Sequence, residues 1–187
     1  MNYPVLDQLP LIVLLVVAGV MDARDRRIPN WLTFLLTFGG IARAFLPGAP
    51  FGPGSAVAGV FVAGAIPFGQ FALGAVGAGD VKLMAGVGAW LGPVGGLLVF
   101  AGQAIIGGLM ALAQSAAQGR LADTLRNTVV VSNAALQVRH LGLDHVRRTG
   151  QHVVKASEGG QKSRRLPFAI PVLASVLLLL ARKGVLR

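Results

Sequence analysis

The sequence predicts an all-α membrane protein, a polytopic bundle of about six transmembrane helices, and three observations carry that prediction. Of its 187 residues 54% are hydrophobic and only 13% are Asp, Glu, Lys or Arg; a soluble domain needs more charge than this to cover its surface. Apolar runs recur at 9–21, 31–46, 55–76, 81–91, 94–113 and 166–181, several of them near the ~20 residues that cross a bilayer core. Lys and Arg gather between these runs, at Arg24, Arg26 and Arg27, at Lys82, and from Arg120 to Arg165, as cytoplasmic loops facing anionic lipid do.

The first run lacks a basic region before it and a small-residue cleavage site after it, so it is expected to stay as a span. With the basic clusters inside the cell, the N-terminus lies outside and 9–21 leads to a cytoplasmic loop, "DARDRRIPN" (22–30). Pro29 disfavours helix at Ile28, and Asn30 is the expected N-cap of the second span. Spans 31–46 and 55–76 pair through the uncharged Gly/Pro-rich turn "LPGAPFGPG" (46–54). The chain is thereby back at the cytoplasm at Gly77–Asp80. Residues 81–113 hold either one long kinked span or two broken at Gly92-Pro93. Two keep the basic segment 115–165 inside, although the first is short and Arg182, Lys183 and Arg187 then fall outside.

Residues 115–165 are the one long polar stretch. Leu121, Leu125, Val129 and Leu136 recur at roughly helical spacing with Arg120, Asp123 and Arg126 between them, a pattern suited to an amphipathic helix on the membrane surface. "KASEGGQKSRR" (155–165) reads as a linker into the last span. The whole chain, 1–187, is expected to be one membrane domain.

Several classes of function are set aside by composition. The net charge of +10 invites a nucleic-acid reading, but no basic stretch carries the interleaved aromatics of strand binding. Without cysteine there is no disulfide, thiolate metal site or cysteine nucleophile. His140, His145 and His152 lack the i, i+4 spacing of two ligands on one helical face, so no metal site is expected. Gln70 and Gln103 suit interhelical hydrogen bonds, and the small residues in 55–64 and 102–108 suit close helix packing.

The chemistry lies with carboxylates. Of seven acidic residues, Asp7, Asp123, Asp144 and Glu158 fall in polar or end regions where water solvates them, whereas Asp22, Asp25 and Asp80 sit at the ends of apolar segments. Carboxylates near hydrocarbon are costly and mark cavities, ion paths or catalytic sites. Two intervening spans are an even number of crossings, so Asp22 and Asp80 reach the same leaflet. Two carboxylates in one poorly solvated pocket do not both ionise easily, and a pair sharing one proton is what aspartic peptide hydrolysis uses. In "GAGD" (77–80), Gly77 and Gly79 would let a peptide backbone approach closely or adopt dihedrals closed to other residues. Lys82 either tunes Asp80 or snorkels to the interface. A plainer alternative makes 22–30 an ordinary positive-inside loop with Asp22 and Asp25 paired to its arginines.

Taken together, Asp22-Ala-Arg-Asp-Arg-Arg-Ile28-Pro29-Asn30 and, about fifty residues later, Gly77-Ala78-Gly79-Asp80 resemble the D-x5-[I/L]-P-[N/D] and G-x-G-D elements of the type IV prepilin peptidases. These are membrane aspartic peptidases of the GxGD class, which includes the archaeal preflagellin peptidases. "GAGDVKLMAGVGAWLG", with Lys82 two residues after the aspartate, and "RLPFAIPVL" (165–173) are similar to further family elements. The resemblance covers most of 9–113 and 165–181, and 115–165 has no counterpart in it.

It implies a catalytic pair, Asp22 and Asp80, with Gly77, Gly79, Ile28, Pro29, Asn30 and Lys82 as motif residues around the substrate. No cofactor is implied. The implied substrate is a prepilin, cut after a glycine between a short basic leader and an apolar helix, at the cytoplasmic face of the cell membrane. Asp25 falls where the family fixes nothing. Larger members carry an N-terminal domain with paired C-x-x-C zinc ligands and methylate the new N-terminus. This chain has no cysteine and no room for that domain, so it resembles the compact members that serve tight-adherence (Flp-type) pili, without methyltransferase activity.

Three rival readings make different demands. An ion-coupled transporter predicts acidic residues deep in spans and related repeat halves, and the sequence has neither. A non-catalytic subunit of a pilus or secretion machine predicts that Asp80 tolerates replacement. Presenilin-like enzymes pair G-x-G-D with an aspartate in a tyrosine-containing motif, and the single tyrosine here is Tyr3.

Overall fold

The computed structural model describes residues 5–25, 27–72, 76–119, 129 and 168–182. Among these the chain is all-helical: α1 (Val5–Asp25), α2 (Asn30–Arg43), α3 (Pro53–Ala72), α4 (Ala78–Ala117) and α5 (Ala169–Arg182). Apart from Val129, the amphipathic pattern over 120–141 lies outside the described residues, as do the three histidines.

Each helix shows apolar side chains on both its buried and its exposed face, as bundle helices in lipid do. On α1 the buried face runs Gln8, Leu11, Leu15, Ala18, Asp22, while Leu9, Val13, Val16 and Val20 are exposed. That spacing places Asp22 on the same inward face as the leucines. The helix continues through Asp25, so Asp22 stands within α1 and not in a loop that follows it. Residues 27–29 are the extended link to α2.

The break expected at Gly92-Pro93 is present. Gly92 has φ 72° and ψ 178°, a conformation open to glycine and strained for other residues. The chain reverses there. A Cβ placed on Gly96 would lie 3.2 Å from the Gly88 Cα, whereas eight residues of continuous helix would separate the two positions by about 12 Å. Residues 78–91 and 93–117 are therefore the two arms of a helical hairpin, rising about 21 Å and about 37 Å. The first arm is short, as its sequence foretells.

α3 and α4 are the helices long and apolar enough to cross a membrane, and for α4 that length is divided between two arms. The crossing of α3 against the first arm is backbone on backbone. A Cβ on Gly59 would meet the Gly88 carbonyl oxygen at 2.1 Å, and one on Gly88 would meet that of Gly59 at 2.1 Å. The first arm also packs on α2, with Leu36 against Gly86 and Trp90 against Gly40. The second arm receives α5, with Ser175 against Gly102 and Pro171 against Gly107. α1 packs on α5 and α2. A core of Leu11, Leu15, Leu32, Leu36, Leu83, Val99, Val172 and Val176 joins the layers.

At the Asp7 end the bundle is tied by Arg43, which is 7% exposed. Its guanidinium donates to the Asp7 carboxylate and, from Nη1, to the Trp90 carbonyl oxygen at 3.4 Å. It also lies 5.5 Å from the centre of the Trp90 ring. The indole Nε1 donates in turn to the Leu36 carbonyl oxygen at 2.7 Å. Asp7 is therefore an ion-pair partner, not the simply solvated end residue expected of it.

Candidate active site

The opposite end gathers the motif residues. α1 delivers Asp22 there on its last turn, and α4 begins there with Gly77 as its N-cap. Asp80 is then the third residue of the helix, the position from which an acidic side chain reaches back to the cap. Its Oδ2 accepts the Gly77 N–H at 3.0 Å. Asp22 is 7% exposed and Asp80 is half-buried. The two carboxylates lie within electrostatic reach of each other, as the parity of the spans between them requires.

Asp22 takes its hydrogen bond from far along the chain. Its Oδ2 accepts the backbone N–H of Ala169, the first residue of α5, at 3.0 Å. The first N–H groups of a helix have no partner within it and carry the positive end of its dipole, so a carboxylate is the natural group to receive one. Neither Asp22 nor Asp80 forms an ion pair among the described residues, and neither Asp22 nor Asp25 pairs with Arg24 or Arg27; Arg26, the third arginine expected to pair with them, lies outside the described residues. Asp25 is the exposed last residue of α1.

The Ile-Pro-Asn element is tied to the glycine element by two contacts. A Cβ on Gly79 would lie 3.4 Å from the Ile28 Cβ, ordinary contact distance, so the 27–29 link packs beside the first turn of α4. Lys82 donates from Nζ to Asn30 Oδ1 at 2.9 Å. Pro29, with φ −65° and ψ 143°, is the N-cap of α2, and its carbonyl oxygen accepts the N–H groups of Leu32 and Thr33 at 3.2 and 3.4 Å.

Several sequence expectations change at this end. Asn30 is the first residue of α2 and not its N-cap, and its side chain serves Lys82 instead. Lys82 forms no ion pair with Asp80 among the described residues; its described partner is Asn30. Gly77 has φ −82° and ψ 156°, extended backbone that any residue adopts. Gly79 is likewise outside the left-handed region, where the described glycines are Gly48, Gly92 and Gly119. A Cβ at 79 would meet Ile28 at ordinary van der Waals distance, so neither special dihedrals nor crowding within the chain accounts for glycine there. The Ala169 contact was not foreseen. Its one sequence signal was "RLPFAIPVL", legible as a helix start but not as a partner for Asp22.

The model of the type IV leader peptidase family matches residues 9–112, from α1 through most of the second arm of α4. That span holds Asp22, the Ile-Pro-Asn element and Gly77–Lys82, and stops short of α5. No curated protein and no solved structure matches the chain.

Proposed function

The chain belongs to the type IV leader peptidase family, and from that premise we propose that it is a membrane aspartic endopeptidase whose catalytic pair is Asp22 and Asp80. The observation that carries this reading is the convergence of two carboxylates, each held by one backbone N–H and neither ion-paired among the described residues. Such a pair shares one proton and acts as a unit. The ionised member takes a proton from water as the water attacks the scissile carbonyl carbon. The protonated member donates to the carbonyl oxygen as the tetrahedral intermediate forms. Collapse then breaks the C–N bond, with a proton passing to the departing amine.

In this reading the chain crosses the cell membrane six times, with the arms of α4 as the fourth and fifth crossings. The carboxylates open to the cytoplasm, where the positive-inside loops lie. The substrate is a small prepilin of the tight-adherence (Flp) type, with its apolar helix in the bilayer and its leader at the carboxylates. The enzyme is a peptidase without methyltransferase activity.

The test is prepilin processing in membranes by wild type, Asp22→Asn and Asp80→Asn at equal expression. Asparagine keeps the shape of the side chain but cannot exchange the proton. Each change is expected to lower cleavage by about 10²–10⁴-fold. Near wild-type cleavage by Asp80→Asn would instead fit a non-catalytic assembly subunit.

A further inference from the structure

The N-terminus of α5 touches the candidate pair from outside the region that the family model matches. Asp22 is 7% exposed, and the partner of its Oδ2, the Ala169 N–H, belongs to a residue that is 0% exposed. The contact joins positions 147 apart in sequence. It is built, because α5 is seated at a fixed depth by α4. Ser175 fills the space over Gly102, where an added Cβ would lie 3.0 Å from its hydroxyl, and Pro171 lies over Gly107. The Ser175 hydroxyl donates to the Pro171 carbonyl oxygen at 2.8 Å, turning the side chain along its own helix. Pro171 is the third residue of α5 and has no N–H, so the helix end has one free donor fewer than usual, and Ala169 supplies one of those that remain.

Resting on the two-aspartate reading, we infer that the backbone N–H of Ala169 is a positioning group for hydrolysis: it fixes the Asp22 carboxylate through Oδ2 and so turns Oδ1 toward the reacting water. Side-chain identity at 169 contributes only its small size. What matters is the donor and the depth at which α4 holds it. Aspartates 22 and 80 are then oriented by the same device, the N-terminal N–H of a helix, supplied to Asp80 by its own helix and to Asp22 by α5. A carboxylate held by one donor keeps a single rotamer, and for an attacking water a misplacement of about 1 Å lowers rate by about 10²-fold.

The experiment is an amide-to-ester exchange, placing lactate where Ala169 stands in the full-length protein by nonsense suppression. It replaces the N–H by an ester oxygen, weakens the Phe168 carbonyl as an acceptor, and changes no side chain. Prepilin cleavage is followed in detergent with kcat and KM separated. The control places the hydroxy acid of valine at Val172, which removes a hydrogen bond internal to α5 and leaves the Asp22 contact. The ester at 169 is expected to lower kcat by about tenfold to a hundredfold with KM within about twofold, and the ester at 172 to change kcat by less than about threefold. Wild-type kcat with the ester at 169, or an equal loss with the ester at 172, overturns the inference.

Thermal unfolding gives a reading independent of cleavage. The ester at 169 should lower Tm in the wild-type background and leave it unchanged in Asp22→Ala, where the acceptor is gone. An equal drop in both backgrounds counts against the contact. A wild-type chain that cleaves no prepilin while this coupling persists keeps the contact and removes the peptidase reading, and with it the role assigned to Ala169.

Discussion

The two ends of the bundle treat buried charge in opposite ways. At the Asp7 end a carboxylate meets a guanidinium, and Arg43 goes on to bind the Trp90 carbonyl and cover its indole ring. At the Asp22 end two carboxylates lie within electrostatic reach of each other, and each has a backbone N–H as its described partner. Lys82, the nearest cation in sequence, is directed to Asn30 instead. The Asp7–Arg43 ion pair serves as a tie between α1 and α2. Asp22 and Asp80 have backbone N–H partners and no ion pair among the described residues, which suits the hydrolytic role proposed for them. The difference teaches that proximity of acidic residues to apolar segments is only half of a functional signal. The other half is whether a cation is provided.

Changes at the Asp7 end sharpen this contrast through stability. Asp7→Asn leaves Arg43 charged at 7% exposure, and removing one partner of this part-buried pair is expected to cost about 2–3 kcal/mol, less than for a fully buried one. The reciprocal change, Arg43→Met, keeps bulk over Trp90 and leaves Asp7, whose side chain is 33% exposed, in reach of water. Its cost is expected to be smaller, about 1–2 kcal/mol. Thermal unfolding in detergent orders the two, and equal losses would show that packing of the long Arg43 side chain outweighs its charge.

The smallest effect is expected at the other end, from the exposed link between the two motifs. Lys82→Met deletes the hydrogen bond to Asn30 and should lower stability by no more than about 1 kcal/mol, with cleavage falling a few-fold as the 27–29 link loosens against α4. Lys82→Arg, which can still donate to Asn30, should restore most of it. A loss as deep as that of Asp80→Asn would instead place Lys82 on the reacting atoms and blur the distinction between the ends.

Much of this was legible in the sequence because it is local or arithmetical. Apolar runs give helices, the Gly92-Pro93 pair marks the reversal, and an even number of crossings puts Asp22 and Asp80 at one end whatever follows. The span boundaries were less so: α2 stops at Arg43, short of the end of its apolar run, since hydropathy continues into turns where helical hydrogen bonding does not. Asn30 has the chemistry of an N-cap, yet Pro29 sets the turn and frees the amide for a partner 52 residues away. Arg43 stood inside an apolar run and was itself a signal that a buried carboxylate or carbonyl must answer it. The Ala169 donor had no such signal. It is a backbone group, and the docking of α5 that gives it meaning depends on small residues at 102 and 107 whose pattern says only that something packs closely.

The central claim is that the bundle separates a structural carboxylate from two chemical ones, and one paired measurement tests it most directly. Asp7→Asn and Asp22→Asn are compared in the same membranes for prepilin cleavage per folded molecule and, after extraction, for Tm. The expected pattern is crossed. Asp7→Asn loses stability while its folded fraction cleaves within about threefold of wild type, and Asp22→Asn keeps a Tm close to wild type while cleavage falls by about 10²-fold or more. Cleavage by Asp22→Asn at near the wild-type rate, or an equal loss of cleavage per folded molecule from Asp7→Asn, would contradict the account.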